Sequence, residues 1–269
     1  MTHALPYWHV DAFADRPFAG NQAAVMPLEN WLDDAVMLAI AEENLFAETA
    51  FVVRDTTAEA DWELRWFTPT EEVRLCGHAT LASGHVLLAR DGGERVTFRT
   101  RRAGLLAVER SGDAYELALP LIRTERGDWP EAVALLGAQP QEVWLNPDGY
   151  GIYLFADAAT VSALDPDLRG LGALGNDQFI CTAPGTDTDV ISRVFVPGGG
   201  VDEDSFTGSA HAALTYFWAE RLGRESFSAF QASQRGGYAH CRRDGDRAVL
   251  SGPCVTVVEG RFYLPQVSG

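Results

Sequence analysis

The chain has 269 residues, 46% of them apolar, and a net charge of −17 from 21 Lys+Arg against 38 Asp+Glu. That length suits one large domain or two of about 130 residues each, and the apolar content supplies a sizeable core and excludes wholesale disorder. The acid excess, with no basic stripe, argues against a nucleic-acid partner and serves solubility, so an anionic ligand needs locally arranged donors.

Taken in chain order, Tyr7 to Phe13 reads as a strand, followed by a turn-rich loop, Arg16-Pro17-Phe18-Ala19-Gly20-Asn21. Gln22 to Pro27 is a short strand, and Trp31 to Asn44 has helical spacing with Asn30 as its cap. Thr49 to Val53 and Trp62 to Phe67 read as strands. His78 to Arg90 is a helix apolar on most faces, hence buried, and it stops at Asp91-Gly92-Gly93. Arg95 to Thr100, Gly104 to Arg110 and Ala114 to Leu119 are strands; Arg99, Arg101 and Arg102 near them mark a solvated strand end.

The second half repeats the plan. Glu131 to Leu136 is a short helix, and Tyr150 to Phe155, Gln178 to Thr182 and Val190 to Val196 are strands. Gly208 to Leu222 is a second apolar helix, stopped at Gly223. Strands near Gly237 to Arg242, Arg247 to Ser251 and Val255 to Val258 follow, with a final hairpin turn at Glu259-Gly260. The junction falls near Pro120 to Asp128, giving halves 1–119 and 120–269, with the last strand able to return to the first half. The expected fold is α+β: two pseudo-symmetric halves from a duplication, each a mostly antiparallel β-barrel or roll around a central helix.

The two helix starts are themselves alike. Leu75-Cys76-Gly77-His78-Ala79-Thr80 and Phe206-Thr207-Gly208-Ser209-Ala210-His211 each place Gly and small polar residues ahead of an apolar run, after an acidic segment. A helix start offers free N–H groups and a partial positive charge, so the pair suggests an anion held from both sides. The four cysteines, Cys76, Cys181, Cys241 and Cys254, form no CxxC pair and have no metal-ligand spacing with histidine, so free thiols and no metal are expected. No early apolar run is long enough for a signal peptide or membrane span, so a cytoplasmic location and no membrane partner are expected.

Several residues could do chemistry. Glu48, in the apolar run Leu45 to Phe51, is either a desolvated general acid/base or a loop carboxylate capping a nearby N–H. His78 is a neutral donor/acceptor beside the helix start, where positive charge is disfavoured, or a simple cap. Asp204 either caps the second helix or moves a proton, and Ser209 beside Gly208 either donates to a substrate anion or caps. Asn21 either bonds a substrate or accepts a turn conformation. Cys76 is an activated thiolate at a helix start or a buried small hydrophobe. His9, His85, His211 and His240 show no clustered partners and read as structural. Gly198-Gly199-Gly200 lacks the following Lys-Ser/Thr of a phosphate loop, and neither GxGxxG nor GxSxG occurs, so no cofactor is expected.

Together these motifs resemble the PhzF-like (phenazine-biosynthesis-like) proteins of the diaminopimelate epimerase fold. The resemblance rests on Val10-Asp11-Ala12-Phe13, Phe18-Ala19-Gly20-Asn21, Glu48-Thr49-Ala50-Phe51, Phe67-Thr68-Pro69, Glu72 to Thr80, Phe195-Val196-Pro197 and Glu203 to His211. It implies a cofactor-independent isomerase, a homodimer, with a small carboxylate-bearing substrate and an active site between the halves. In the family's isomerase that works on dihydro-hydroxyanthranilate, a glutamate moves a proton between substrate carbons; Glu48 corresponds to it. His78, Asp204 and Ser209 match the other site positions, and Asn21, Gly77 and Gly208 belong with Ser209 to substrate binding. The chain departs from the family at Ser205, where Pro is usual, and at Gln22, where Pro follows the Asn. Related epimerases pair two cysteines; Cys76 matches one, but Thr207 stands at the other, which argues against a two-thiol mechanism and leaves Cys76 structural. An amino-acid racemase or epimerase of the same fold, and a non-catalytic carboxylate-binding protein, are the alternatives.

Overall fold

The computed structural model describes residues 3–264. The chain forms two compact units, one from the residues up to Ala118 together with those from Ser251 onward, the other Leu119–Leu250.

The first unit contains β1 (His3–Ala12), β2 (Asn21–Leu28), α1 (Asp34–Asn44), β3 (Glu48–Arg54), β4 (Trp62–Phe67), β5 (Glu72–Val73), α2 (Gly77–Asp91), β6 (Arg95–Thr100), β7 (Leu105–Ser111) and β8 (Ala114–Pro120). From β1 the strands run antiparallel to β2, parallel to β3, then antiparallel to β4, which carries short antiparallel β5 and parallel β6. Antiparallel β7 and β8 complete the series. Helix α2 packs against β1, β2, β3, β6 and β7, and its small residues permit close approach. A Cβ on Gly84 would lie 2.3 Å from Val108 Cγ1 on β7, so no larger residue fits there without displacing that strand. Helix α1 covers the outer face, where Met37, Ile40 and Ala41 pack with Leu5, Met26, Leu28, Phe51 and Phe67.

The second unit contains β9 (Glu125–Gly127), α3 (Pro130–Leu135), β10 (Glu142–Asn146), β11 (Tyr150–Leu154), α4 (Ala158–Ser162), α5 (Leu168–Leu174), β12 (Gln178–Pro184), β13 (Val190–Val196), β14 (Val201–Glu203), α6 (Gly208–Leu222), β15 (Ser226–Gln231), β16 (Gly237–Asp244) and β17 (Arg247–Gly252). The pairing repeats: β10 antiparallel to β11, β11 parallel to β12, β12 antiparallel to β13, with short antiparallel β14 and parallel β15 on β13, then antiparallel β16. Each central helix follows the short strand and precedes the parallel one. The α+β class and the doubled plan read from the sequence are those of the fold.

The repeat extends to side chains. Arg65 on β4 clamps Glu72 on β5 bidentately at 2.8 and 2.7 Å, with its guanidinium 5.0 Å from the Phe67 ring centroid. Arg193 on β13 clamps Glu203 on β14 at 2.8 and 2.9 Å, 4.8 Å from the Phe195 centroid. Each clamp fixes the chain just before a central helix begins.

Three sequence expectations need correction. Helix α1 begins at Asp34 with Asp33 as N-cap, not at Trp31 with Asn30. Trp31 and Leu32 instead pack against the apolar cluster beneath α1, and Trp31 Nε1 donates to Glu63 at 3.1 Å, so tertiary packing overrides helical spacing. The hairpin at Glu259-Gly260 does not form: β18 (Cys254–Leu264) runs straight through it, antiparallel to β1, with Tyr7 opposite Gly260. The ladder offered by β1 outweighs a local turn signal. Strands β10 and β15, the short β5, β9 and β14, and helices α4 and α5 have no counterpart in the sequence reading, although Ser226 to Gln231 alternates in burial as a strand should. Among the described residues no helix is long and apolar enough to cross a membrane.

Candidate active site

In the first unit, Glu48 opens β3, Cys76 is the N-cap of α2, His78 is the second residue of that helix, and Asn21 opens β2. Parallel pairing sets Glu48 opposite Ala23, two residues along β2 from Asn21 and on the same face. The fold thus gathers four groups from three elements. His78 Nε2 lies 3.1 Å from Glu48 Oε2. On the other side of the ring, Asn21 Nδ2 lies 3.2 Å and Cys76 Sγ 3.5 Å from Nδ1. Asn21, Cys76 and His78 are buried, and Glu48 keeps 17% of its side chain exposed.

Glu48 Oε2 is enclosed yet has no hydrogen-bond donor aligned on it among the described residues. The His78 contact is close but off the ring N–H direction, so it acts as a charge contact rather than as a well-formed hydrogen bond. A buried carboxylate oxygen left without a donor is costly for stability and suited to taking a proton.

His78 differs from the neutral ring expected beside a helix start. Burial works against its charge, but the Cys76 and Glu48 groups beside it outweigh burial and raise its pKa well above the ordinary value. Burial, with the Glu48 charge, pushes the Cys76 thiol up to about 11, so it is protonated at neutral pH. With the thiol protonated, the Glu48 carboxylate is the neighbour that favours a charged His78 ring. Cys76, left as structural by the sequence, is a member of this cluster. His9, read as lacking partners, has Asp11 at 3.6 Å, Gln22 at 3.2 Å and a tilted ring contact with Phe46 at 4.3 Å.

Gly20 sets the position of Asn21. Its φ is +60°, and a Cβ there would lie 2.1 Å from the Ala12 carbonyl oxygen. Gly20→Ala is expected to destabilise the fold by more than about 1 kcal/mol, read as a lower urea midpoint. An unchanged midpoint would show that the loop tolerates a side chain.

In the second unit, Asp204, Gly208 and Ser209 surround the start of α6. Asp204 Oδ2 accepts from the Thr207 hydroxyl at 2.6 Å. Gln231, buried on β15, accepts from Thr207 N–H at 2.9 Å and donates to the Asp204 carbonyl at 2.7 Å. Ser209 Oγ exchanges hydrogen bonds with Gln178 at 3.0 and 3.3 Å. Gln231 and Gln178 were missed; nothing in their local sequence marks them, since their role comes from strands distant in the chain. Neither N-cap residue, Cys76 nor Thr207, closes a side-chain hydrogen bond on its helix. The first-turn N–H groups are thus uncapped by the side chains that usually take them.

His211 is structural. It is fully buried, stacked on Phe206 at 4.2 Å; its Nδ1 contacts the Thr207 carbonyl at 2.9 Å, and Nε2 has no partner among the described residues. Burial pushes its pKa down to about 4. The folded ring stays neutral while the unfolded ring gains a proton near pH 6.5, so stability falls as pH drops from about 6.5 to 4, by about 3 kcal/mol in all. His211→Gln should flatten that part of the stability–pH curve, measured by urea unfolding; an unaltered curve would remove His211 as its cause.

The sequence profile of the PhzC-PhzF family, described as phenazine biosynthesis-like protein, matches residues 10–260. A relative described as an uncharacterized isomerase from Pseudomonas aeruginosa is 44% identical over 263 residues, 97% of this chain and 99% of the relative. The crystal structure of a PhzF-family phenazine biosynthesis protein from Enterococcus faecalis superposes with a TM-score of 0.90 at 39% identity, covering 97% of this chain and 100% of the other. A hydroxyproline epimerase from Agrobacterium vitis shares the fold alone, with a TM-score of 0.63 at 13% identity over 98% of this chain and 94% of its own.

Proposed function

This chain belongs to the phenazine biosynthesis-like (PhzC-PhzF) family and is an isomerase, and on that premise we propose that Glu48 moves a proton between two carbons of a small carboxylate substrate without a cofactor. The observation that carries this reading is the buried Glu48 oxygen that lies 3.1 Å from His78 and has no aligned donor. Glu48 takes a proton from one carbon, breaking a C–H bond, exchanges it with water through its exposed edge, and delivers a proton to another carbon as the double bond shifts. His78 is the positive neighbour of Glu48 throughout, and Asn21 holds the far side of its ring.

Negative charge that develops on the substrate needs donors already in place. We assign that task to the N–H groups of Gly77 and His78 at α2; Gly208 and Ser209 open α6 of the second unit in the same way and carry its substrate-binding positions. Asp204 assists as a second proton-handling group, ordered through Thr207. Ser209→Ala is expected to raise KM several-fold and leave kcat largely intact, in steady-state kinetics; an unchanged KM would remove Ser209 from substrate binding. The four cysteines are free thiols. The cytoplasmic, homodimeric form we adopt for the working enzyme follows the family resemblance alone.

The test of the reaction class is deuterium wash-in from heavy water across a panel of small unsaturated carboxylates. The reading expects one deuterium at a carbon conjugated to the carboxylate, with a shifted double bond. Exchange confined to one stereocentre of an amino acid, with inversion, would instead indicate a racemase.

A further inference from the structure

We propose that Gln231 is a positioning residue: its buried side-chain amide holds the Asp204–Thr207 turn in the conformation that aims the Thr207 hydroxyl at the Asp204 carboxylate. The inference deepens the reading above, since its kinetic consequence rests on the proton-handling role assigned to Asp204.

Asp204 lies between β14 and α6, in a turn, Asp204-Ser205-Phe206-Thr207, with no proline to fix its backbone. Gln231 ends β15 and is fully buried. Its Oε1 accepts from Thr207 N–H at 2.9 Å, and its Nε2 donates to the Asp204 carbonyl at 2.7 Å. Those partners settle which way the amide faces, because a backbone N–H requires the oxygen and a backbone carbonyl the nitrogen. A longer contact runs from Nε2 to the Thr207 hydroxyl oxygen at 3.4 Å. With its oxygen facing that donor, the hydroxyl gives its own proton to Asp204 Oδ2 at 2.6 Å. These bonds close a ring through Gln231, Thr207 and Asp204. A threonine at a helix start ordinarily accepts from a first-turn N–H, but Thr207 closes no such bond on α6. Its hydroxyl serves the carboxylate instead.

The first unit shows the same place without a carboxylate to hold. Strand pairing sets Thr100 where Gln231 stands: Thr100 pairs with Leu64 on β4, just before Arg65, and Gln231 with Ser192 on β13, just before Arg193. The residue after the clamped glutamate is Val73 in the first unit and Asp204 in the second. The Thr100 hydroxyl donates to the Gly104 carbonyl at 2.8 Å and accepts from Ala103 N–H at 2.9 Å, so it is spent on its own turn. The long amide thus accompanies the carboxylate, whereas a purely structural tie would serve both helix starts alike. Ser209 is held separately, by Gln178, so binding through Ser209 does not depend on Gln231.

The experiment pairs the crystal structure of the full-length Gln231→Met variant with steady-state kinetics on the carboxylate that the deuterium panel identifies. Methionine keeps the length of the side chain and removes its donor and acceptor. The structure should show the Thr207 hydroxyl turned away from Asp204, beyond hydrogen-bond reach; an intact contact overturns the proposal whatever part Asp204 has in turnover. In kinetics, kcat should fall about 10–100-fold while KM stays within about threefold. Added to Asp204→Asn, Gln231→Met should cost no more than about twofold further, because a positioning residue acts through the group it positions. Thr100→Val should leave kcat unchanged. Wild-type kcat in Gln231→Met, a loss that multiplies with that of Asp204→Asn, or an equal loss in Thr100→Val overturns the proposal. If Asp204→Asn itself keeps wild-type kcat, the role assigned to Asp204 fails, and the structural arm alone decides Gln231. If Gln231→Met does not fold, Gln231→Glu, which keeps the acceptor and loses the donor, replaces it in every comparison.

Discussion

Glu48→Gln should lower kcat by about 10²–10⁴-fold, the contribution of a positioned acid/base group, while KM or the affinity of a carboxylate inhibitor changes by only a fewfold. The amide keeps the size of the carboxylate and can still face His78 at the 3.1 Å separation, but it has no lone pair basic enough to accept a carbon-bound proton. The loss therefore falls on the chemical step. A second consequence concerns His78, whose raised pKa depends at neutral pH on the Glu48 charge; in Glu48→Gln it should fall, which NMR titration of the ring would show. Retained turnover in the variant would contradict the mechanism, and an unmoved His78 titration would contradict the electrostatic account of the cluster.

The second large effect is on stability. Arg65→Leu should cost about 3 kcal/mol, measured by urea unfolding, because it leaves the Glu72 carboxylate half-buried without its bidentate partner. Arg65 is only 3% exposed and Glu72 16%. One contact from Arg101 to Glu72, at 3.2 Å, remains and limits the loss. The matching Arg193→Leu should cost less, about 1–2 kcal/mol, since Arg193 and Glu203 keep 15% and 20% exposure and water screens the charge left behind. Equal costs, or a larger cost at Arg193, would show that burial does not rank the two clamps.

Those clamps also show why the duplication was faint in the sequence. Element order and the two helix starts were legible, because Gly77 and Gly208 each open an apolar run after acidic residues. The side-chain signature was present as Arg65-Trp66-Phe67-Thr68-Pro69 against Arg193-Val194-Phe195-Val196-Pro197, each with a later glutamate. The spacing from Arg to Glu differs between the copies, so only strand pairing brings Glu72 and Glu203 into equivalent places. Glu48 and His78 were legible by motif, but their contact was not: thirty residues and two strands separate them, and parallel pairing of β2 with β3 decides which face Glu48 takes. The lack of a second thiol leaves Cys76 structural by sequence but says nothing of its neighbours, and the structure places its sulfur 3.5 Å from His78 Nδ1. The course of β18 was illegible because β1, its partner, lies at the opposite end of the chain.

The central claim is that one glutamate carries the proton, and solvent deuterium exchange into substrate reads that directly. With the wild-type chain and a turned-over carboxylate in heavy water, the account predicts deuterium at a carbon conjugated to the carboxylate, and none above background with Glu48→Gln. Deuterium entering the substrate at the wild-type rate in that variant would contradict it.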